Sequence, residues 1–147
     1  MAKEAGPLSP AQGCRLGPGL WVLVLAAALG IGSALARENS PGAQIYKQST
    51  CVVCHGGLGT GGFGPKLAGN PMLVISQYVI AQILIGRGQM PPFGDKLSDQ
   101  EIAAVAQYVR TSWGNNFGPV SPDQVAETRD LMKRAQETAI RVSQALQ

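Results

Sequence analysis

The sequence predicts an all-α domain in which helices alternate with two long irregular loops. Several stretches repeat apolar residues at helical spacing, whereas no stretch shows the strict alternation of a half-buried strand. The first loop, residues 56–71, contains seven glycines and two prolines and cannot form regular structure. At 147 residues the chain has room for one such domain but not for two comfortable ones.

The composition indicates that the domain needs something besides side chains to complete its interior. Only 5% of the residues are aromatic, while 19 are glycine and 10 are proline, so few bulky groups are available to fill a core. Small domains of this kind are often completed by a cofactor, a metal or disulfides. The formal charge of +3 is mild and the basic residues are scattered, which argues against nucleic acid as the main partner.

Residues 1–36 are typical of an export signal. Basic residues precede an apolar segment, which ends in a small-residue A-x-A pattern. We expect cleavage after Ala36; the alternative is a retained membrane anchor, because no charge lies between Arg15 and Arg37. Both interpretations place residues 37–147 outside the cytoplasm, so we expect a periplasmic location.

Two helices are predicted in the first part of the exported chain. Residues 40–55 are loosely compatible with helical spacing and predict a first helix. Residues 72–86 are strongly apolar and predict a buried helix, which ends at Gly86 because glycine is favoured just past a helix end. The loop of residues 56–71 lies between them, and its glycines let the backbone approach a ligand closely.

Two further helices are predicted after the irregular stretch of residues 87–96. Residues 97–114 carry the clearest pattern, with a capping box of Ser98 and Glu101 followed by an apolar stripe. Residues 121–147 predict a final helix that begins with serine and proline. Its apolar positions alternate three and four residues apart, and this seam either docks on a partner or packs on its own domain. The seam consists of Val125, Thr128, Met132, Ala135, Ala139, Val142 and Leu146.

The motif CVVCH at residues 51–55 contains two of the three cysteines and the only histidine. A structural zinc site needs four ligands, and the exported part of the chain offers no second cluster. A thiol oxidoreductase would have the pair at the start of a helix after a strand, which the pattern does not predict. In C-x-x-C-H the two thiols can bond to one porphyrin while the imidazole binds its iron. We therefore predict one covalent haem on Cys51 and Cys54, with His55 as proximal ligand.

Met90 is the predicted second axial ligand of the iron. It lies in the proline-stiffened stretch 87–96, where its thioether could reach the iron from the face opposite His55. Met72 opens an apolar helix and is expected to pack in the core, while Met132 lies on the final helix. A Met/His pair is a standard ligation for electron-carrying haem and leaves no open position on the iron.

Taken together, these motifs resemble the class I c-type cytochromes over most of residues 41–113. Gly42 is similar to the glycine at which the family's first helix crosses its last, which here carries Tyr108. The segment 64–69 resembles the loop in which a proline carbonyl accepts a hydrogen bond from the proximal histidine, which implies that role for Pro65. The segments GRGQMPPF and LSDQEIAAVAQYVRTSW resemble the axial-methionine loop and the C-terminal helix.

The resemblance implies a cytochrome c fold with three or four core helices around one covalent haem c. The tail after Trp113 departs from the minimal family pattern, so we predict a cytochrome domain at residues 37–118 and a C-terminal helical extension at residues 119–147. The resemblance also implies a one-electron carrier that is not itself an enzyme. The alternative is a haem sensor or enzyme in which Met90 dissociates to open the iron.

The ending YVRTSWGNNFGPVSPDQVAETR is similar to cytochrome c subunits of periplasmic and membrane-bound dehydrogenases. This resemblance implies redox partner proteins: a dehydrogenase as donor, and an oxidase or another cytochrome as acceptor. Four basic residues flank the haem-binding segments and either steer acidic partners or are ordinary solvated charges. They are Lys47, Lys66, Arg87 and Lys96.

Overall fold

A computed structural model of the chain describes residues 38–147. The export signal predicted at residues 1–36 lies outside this described part. Within it the chain is helical, and no strand forms beyond an isolated bridge between Arg87 and Met90. The prediction of an all-α domain is confirmed. None of the helices in residues 38–147 is long and apolar enough to cross a membrane.

Five α-helices and one short 3₁₀ helix make up the regular structure of residues 38–147. In chain order they are α1 (Pro41–Gln48), α2 (Cys51–His55), the 3₁₀ helix (Pro71–Val74), α3 (Ser76–Ile85), α4 (Asp99–Thr111) and α5 (Pro122–Ala145). The two long irregular loops, residues 56–70 and 86–98, lie where glycine and proline predicted them.

The single helix predicted for residues 40–55 is wrong, because the structure has two helices there. α1 begins after Ser40, whose Oγ accepts a hydrogen bond from the amide of Ala43 at 3.2 Å. The helix ends at Gln48, and Thr50 then adopts a φ of 62° in the left-handed region. A β-branched residue rarely takes this conformation, so apolar periodicity alone did not reveal the break.

The helix predicted for residues 72–86 is also divided. Pro71–Val74 forms a separate 3₁₀ turn, and Ile75 is extended before α3 begins. Met72 lies in that turn and is 46% exposed, so the expectation that it packs in the core is wrong. α3 ends at Gly86 as predicted, with a φ of 68°. The buried residues of α3 are Val79, Ile80, Ile83 and Leu84.

α4 begins with the capping box that its sequence predicts, and α5 begins with the predicted serine and proline. Ser98 Oγ accepts a hydrogen bond from the amide of Glu101 at 3.3 Å, and the Glu101 carboxylate accepts one from the Ser98 amide at 2.8 Å. The bonds that the Ser98 amide and hydroxyl donate to the Glu101 carboxylate lower the pKa of Glu101 below its usual value. Ser121 and Gln124 form the same reciprocal box at the start of α5. Each box satisfies amide groups that a helix start otherwise leaves unpaired.

α1 crosses α4 at Gly42, as the family resemblance implied. A Cβ atom at this position would lie 2.1 Å from the carbonyl oxygen of Ala104 and 2.8 Å from the Cβ of Tyr108. Only glycine allows so close an approach of two backbones. The crossing brings the buried Tyr46 against two aromatic rings, with centroids 5.5 Å from Tyr108 and 5.3 Å from Trp113.

α5 packs on the domain with its first half and leaves its second half exposed. Val125 and Thr128 are buried, and Met132 packs partly against the core. Every residue from 133 to 147 is exposed. The first three positions of the apolar seam, up to Met132, therefore pack on their own domain, which was one of the two alternatives. The other four positions are exposed.

Replacing Gly42 by alanine tests the crossing of α1 and α4. The added methyl group meets the backbone of Ala104, which cannot move without shifting α4. We therefore expect the free energy of unfolding of the full-length protein, measured in urea, to fall by about 2 kcal/mol. Gly57→Ala is the matched control, because its Cβ would meet nothing closer than Val52 at 3.8 Å. Equal unfolding midpoints for the two variants would contradict this contact.

Candidate functional site

An apolar cavity of about 310 Å³ is enclosed by helices α1 to α4, the 3₁₀ helix and the two long loops. Three of the four predicted site residues line it: Cys51, His55 and Met90. Cys54 is half-buried on the same helix as His55 but is not among the lining residues. Cys51 and Cys54 form no disulfide within residues 38–147. The cavity is of a size and polarity that suit a largely apolar small molecule.

His55 is oriented by the carbonyl group of Pro65. Its Nδ1 lies 2.9 Å from that oxygen, and the side chain is 8% exposed. Because a carbonyl only accepts hydrogen bonds, Nδ1 must carry the hydrogen, which leaves Nε2 with a free lone pair. Histidines that bind metals are commonly held in this way. The contact that the family resemblance implied is confirmed.

The glycine-rich loop lies directly against the imidazole of His55. A Cβ atom at Gly64 would lie 2.7 Å from His55 Cε1 and 2.9 Å from Nδ1. On another part of the loop, a Cβ atom at Gly59 would lie 2.5 Å from the ring of Trp113. The amide of Leu67 donates to the carbonyl of Gly59 at 2.8 Å and folds the loop back on itself. Gly64 and Gly59 therefore let the loop lie close to both the imidazole of His55 and the ring of Trp113.

Asn115 joins the loop to α4, although no sequence pattern singled it out. It is 4% exposed, and its Nδ2 donates to the carbonyls of Leu67 at 3.1 Å and Val109 at 2.7 Å. Its Oδ1 accepts a hydrogen bond from the amide of Gly69 at 2.8 Å. Leu67 and Val109 both line the cavity, so one side chain holds two parts of the wall. The only sequence signal was an asparagine shortly after a helix end.

Met90 is held by a tight turn of the second loop. The amide of Arg87 donates to the carbonyl of Met90 at 3.1 Å, and the amide of Met90 donates back at 3.0 Å. A Cβ atom at Gly86 would lie 2.2 Å from the Met90 oxygen, so this turn requires glycine there. Further along, the amide of Phe93 donates to the carbonyl of Ile83 at 3.0 Å. Backbone bonds on both sides therefore fix where the half-buried Met90 side chain meets the cavity.

Tyr46 contributes an uncharged wall beside Cys51. Its hydroxyl donates to the carbonyl of Gly56 at 2.8 Å. Burial, with smaller effects of Cys51 and Tyr108, raises the pKa of Tyr46 well above its usual value. Tyr46 is therefore neutral at physiological pH and brings no charge to this side of the cavity.

The four flanking basic residues are all exposed. Arg87 lines the cavity, and each of the other three is next in sequence to a lining residue. No aspartate or glutamate occurs in the sequence between Glu38 and Asp95. Residues 39–94, which supply the whole first loop and most of the second, therefore have only positive formal charges. The four residues are Lys47, Lys66, Arg87 and Lys96.

Comparisons with known proteins identify the family. A family model described as cytochrome c oxidase, cbb3-type, subunit III matches residues 37–109. Cytochrome c-552 of Thermus thermophilus is 34% identical, over 65% of this chain and 78% of that protein. Cytochrome c6 of a Picosynechococcus species is 33% identical, over 63% of this chain and 90% of that protein. The chain belongs to the c-type cytochromes.

A longer relative is the cytochrome c subunit of quinone alcohol dehydrogenase from Gluconobacter oxydans. It is 33% identical over 63% of this chain, which spans 22% of the length of that subunit. As a c-type cytochrome the chain carries covalently bound haem c. The cavity fits this group, because its walls are apolar and the free Nε2 of His55 can bind iron.

A Gly64→Ala variant tests the contact between the loop and His55. The methyl group would overlap the imidazole, so the ring or the loop must move. We expect the haem-loaded protein to lose about 1–3 kcal/mol of unfolding free energy, together with a weakened low-spin absorption spectrum. Gly57→Ala again serves as the control. Wild-type spectrum and stability in Gly64→Ala would show that the loop does not constrain the histidine.

Proposed function

We propose that the chain is a periplasmic one-electron carrier whose haem iron is bound by His55 and Met90. Thioether bonds to Cys51 and Cys54 would hold the porphyrin. The observation that best supports this assignment is that His55, with Nε2 free, and Met90 line the same apolar cavity. With His55 and Met90 both bound, the iron would have no ligand position left for a substrate.

The haem supplies the redox chemistry, in which the iron gains or loses one electron. The protein sets how readily this happens. A thioether ligand favours the ferrous state and raises the reduction potential, and the hydrogen bond from His55 to Pro65 tunes the opposite ligand. The apolar walls would limit the access of water to a bound iron, which would also favour the less charged, reduced site.

The proposed donor is a dehydrogenase, and the proposed acceptor is an oxidase or another cytochrome. Support comes from the relatives, which include the fructose dehydrogenase cytochrome subunit of Gluconobacter japonicus, 33% identical over 63% of this chain. The chain covers 22% of that subunit. Exposed cations next to the cavity would attract an acidic surface on such a partner. The export pattern of residues 1–36 supports the periplasmic location.

A Met90→Ala variant tests the proposed ligation. Loss of the sulfur ligand should abolish the sulfur-to-iron band at the red end of the ferric spectrum and let carbon monoxide bind the reduced iron. The reduction potential should fall by on the order of a few hundred mV, within the range of about 0.8 V that axial ligands set. Potentiometric titration and absorption spectra provide these measurements.

Met72→Ala is the control for this experiment, because Met72 is exposed and does not line the cavity. It should retain the wild-type spectrum and potential. Persistence of the band in Met90→Ala would refute the ligation. Rapid carbon monoxide binding by the wild-type protein at neutral pH would favour the alternative of a haem sensor or enzyme with an open iron.

Charge reversal at Lys66 tests the proposed steering by exposed cations. Lys66 is exposed between two cavity-lining residues, whereas Lys133 is exposed on the second half of α5. We expect Lys66→Glu to slow reduction by the dehydrogenase that co-purifies from native membranes about tenfold at low salt. Lys133→Glu should have little effect. Stopped-flow rates that are equal for both variants, or insensitive to salt, would argue against steering.

A further inference from the structure

Arg110 is a buried cation that has no ion-pair partner among residues 38–147. Its side chain is 4% exposed. Within the described part of the chain it forms no ion pair, and the salt bridge seen there joins Arg129 to Asp99. Burial lowers the pKa of Arg110 from its usual value, but a guanidinium remains protonated at physiological pH. The domain therefore keeps one full positive charge in its interior.

Backbone carbonyl groups satisfy the hydrogen-bonding capacity of this guanidinium. Nε makes one bond at 2.8 Å, Nη1 makes two at 2.9 Å, and Nη2 makes one at 3.2 Å and a second, shorter one. The acceptors are the carbonyl oxygens of Leu73, Val74, Phe117, Gly118 and Pro119. Carbonyl dipoles offset the loss of water but bring no net charge, so the cation is solvated and not neutralised.

The guanidinium lies directly behind the wall of the haem cavity. Leu73, whose carbonyl accepts the bond from Nε, also lines the cavity. Val109, the residue before Arg110 on α4, lines it as well. Because Arg110 is only 4% exposed, its charge is screened less than the charge of an exposed lysine.

We propose that Arg110 raises the reduction potential of the haem through the charge that it holds behind Leu73. The oxidised iron site carries one more positive charge than the reduced site. A fixed cation nearby therefore destabilises the oxidised state more, and the one-electron equilibrium shifts toward reduction. The proposal rests on the proposed function only in requiring that the haem occupy the cavity lined by His55 and Met90.

The hydrogen bonds of Arg110 also have a structural effect, which must be separated from the effect of its charge. They tie the 3₁₀ helix (Pro71–Val74) to residues 117–119. Removing the side chain should thus lower stability whatever it does to the haem. A substitution that keeps the charge and one that removes it distinguish the two effects, because only the charge acts on the potential.

The experiment measures reduction potentials of the full-length, haem-loaded protein by spectroelectrochemical titration at pH 6. In Arg110→Met and Arg110→Gln we expect the equilibrium constant for reduction to fall at least tenfold, which is 59 mV for a one-electron couple. In Arg110→Lys it should stay within about twofold of wild type, since the carbonyl groups hold the ammonium charged. The shifts should persist in high salt.

Arg141→Met is the matched control, because it removes the same charge from an exposed position on α5. Its potential should stay within about twofold of wild type in the equilibrium constant. The sulfur-to-iron band serves as the check on ligation. Its absence from the wild-type protein would show that the proposed ligation fails, whereas potentials of the Arg110 variants are compared where the band is present. Wild-type potentials in the two neutral variants, or an equal fall in Arg110→Lys, would overturn the role of the charge.

A second pair of variants applies if both neutral variants unfold. Val74→Glu leaves Arg110 in place and adds a carboxylate at a residue that is 57% exposed. The backbone carbonyl of this residue accepts a hydrogen bond from the guanidinium. Ile75→Glu adds the same charge at the next residue, which is 47% exposed. We expect Val74→Glu to lower the equilibrium constant for reduction several-fold more than Ile75→Glu. Equal shifts would overturn the proposal.

Discussion

The contact between α1 and α4 at Gly42 is the constraint on which the site depends. Because the two helices meet backbone to backbone, Tyr46 can pack on Tyr108 and still place its hydroxyl 2.8 Å from the carbonyl of Gly56. Gly56 caps the C-terminal end of α2. The helix crossing therefore fixes the end of the short helix that carries His55. The loop that returns to the imidazole is positioned from there.

Local signals in the sequence predicted the helix starts and ends, but not the two interruptions. The capping box of Ser98 and the terminal glycine of α3 act within one turn, so a short window of sequence contains them. The break at Thr50 requires a left-handed backbone at a β-branched residue, which propensity argues against. The exposure of Met72 was missed for a similar reason. Met72 lies in the separate 3₁₀ turn, and apolar periodicity does not show where a helix is interrupted.

Some residues of the candidate site were predictable from the sequence, and others were not. Those in the attachment motif have a specific chemistry at a fixed spacing, whereas others become neighbours only in the folded chain. The attachment motif of residues 51–55 was recognisable because few cofactors use two thiols and an imidazole at that spacing. Asn115 and Arg110 were not recognisable, since both act on backbone carbonyls that lie far away in sequence. Any residue type supplies a carbonyl, so such contacts leave no pattern in the chain. They nevertheless hold the walls of the cavity and place a charge behind it.

The exposed second half of α5 is separate from the haem site. Residues 133–147 bury no side chain and line no part of the haem cavity. A dye, an affinity tag or a link to an electrode surface placed near Gln147 would therefore leave the iron environment unchanged. The protein offers an attachment point on a helix that is anchored to the core at Val125 yet extends beyond it. Electron transfer could then be measured in an immobilised molecule whose cavity and surrounding cations remain free.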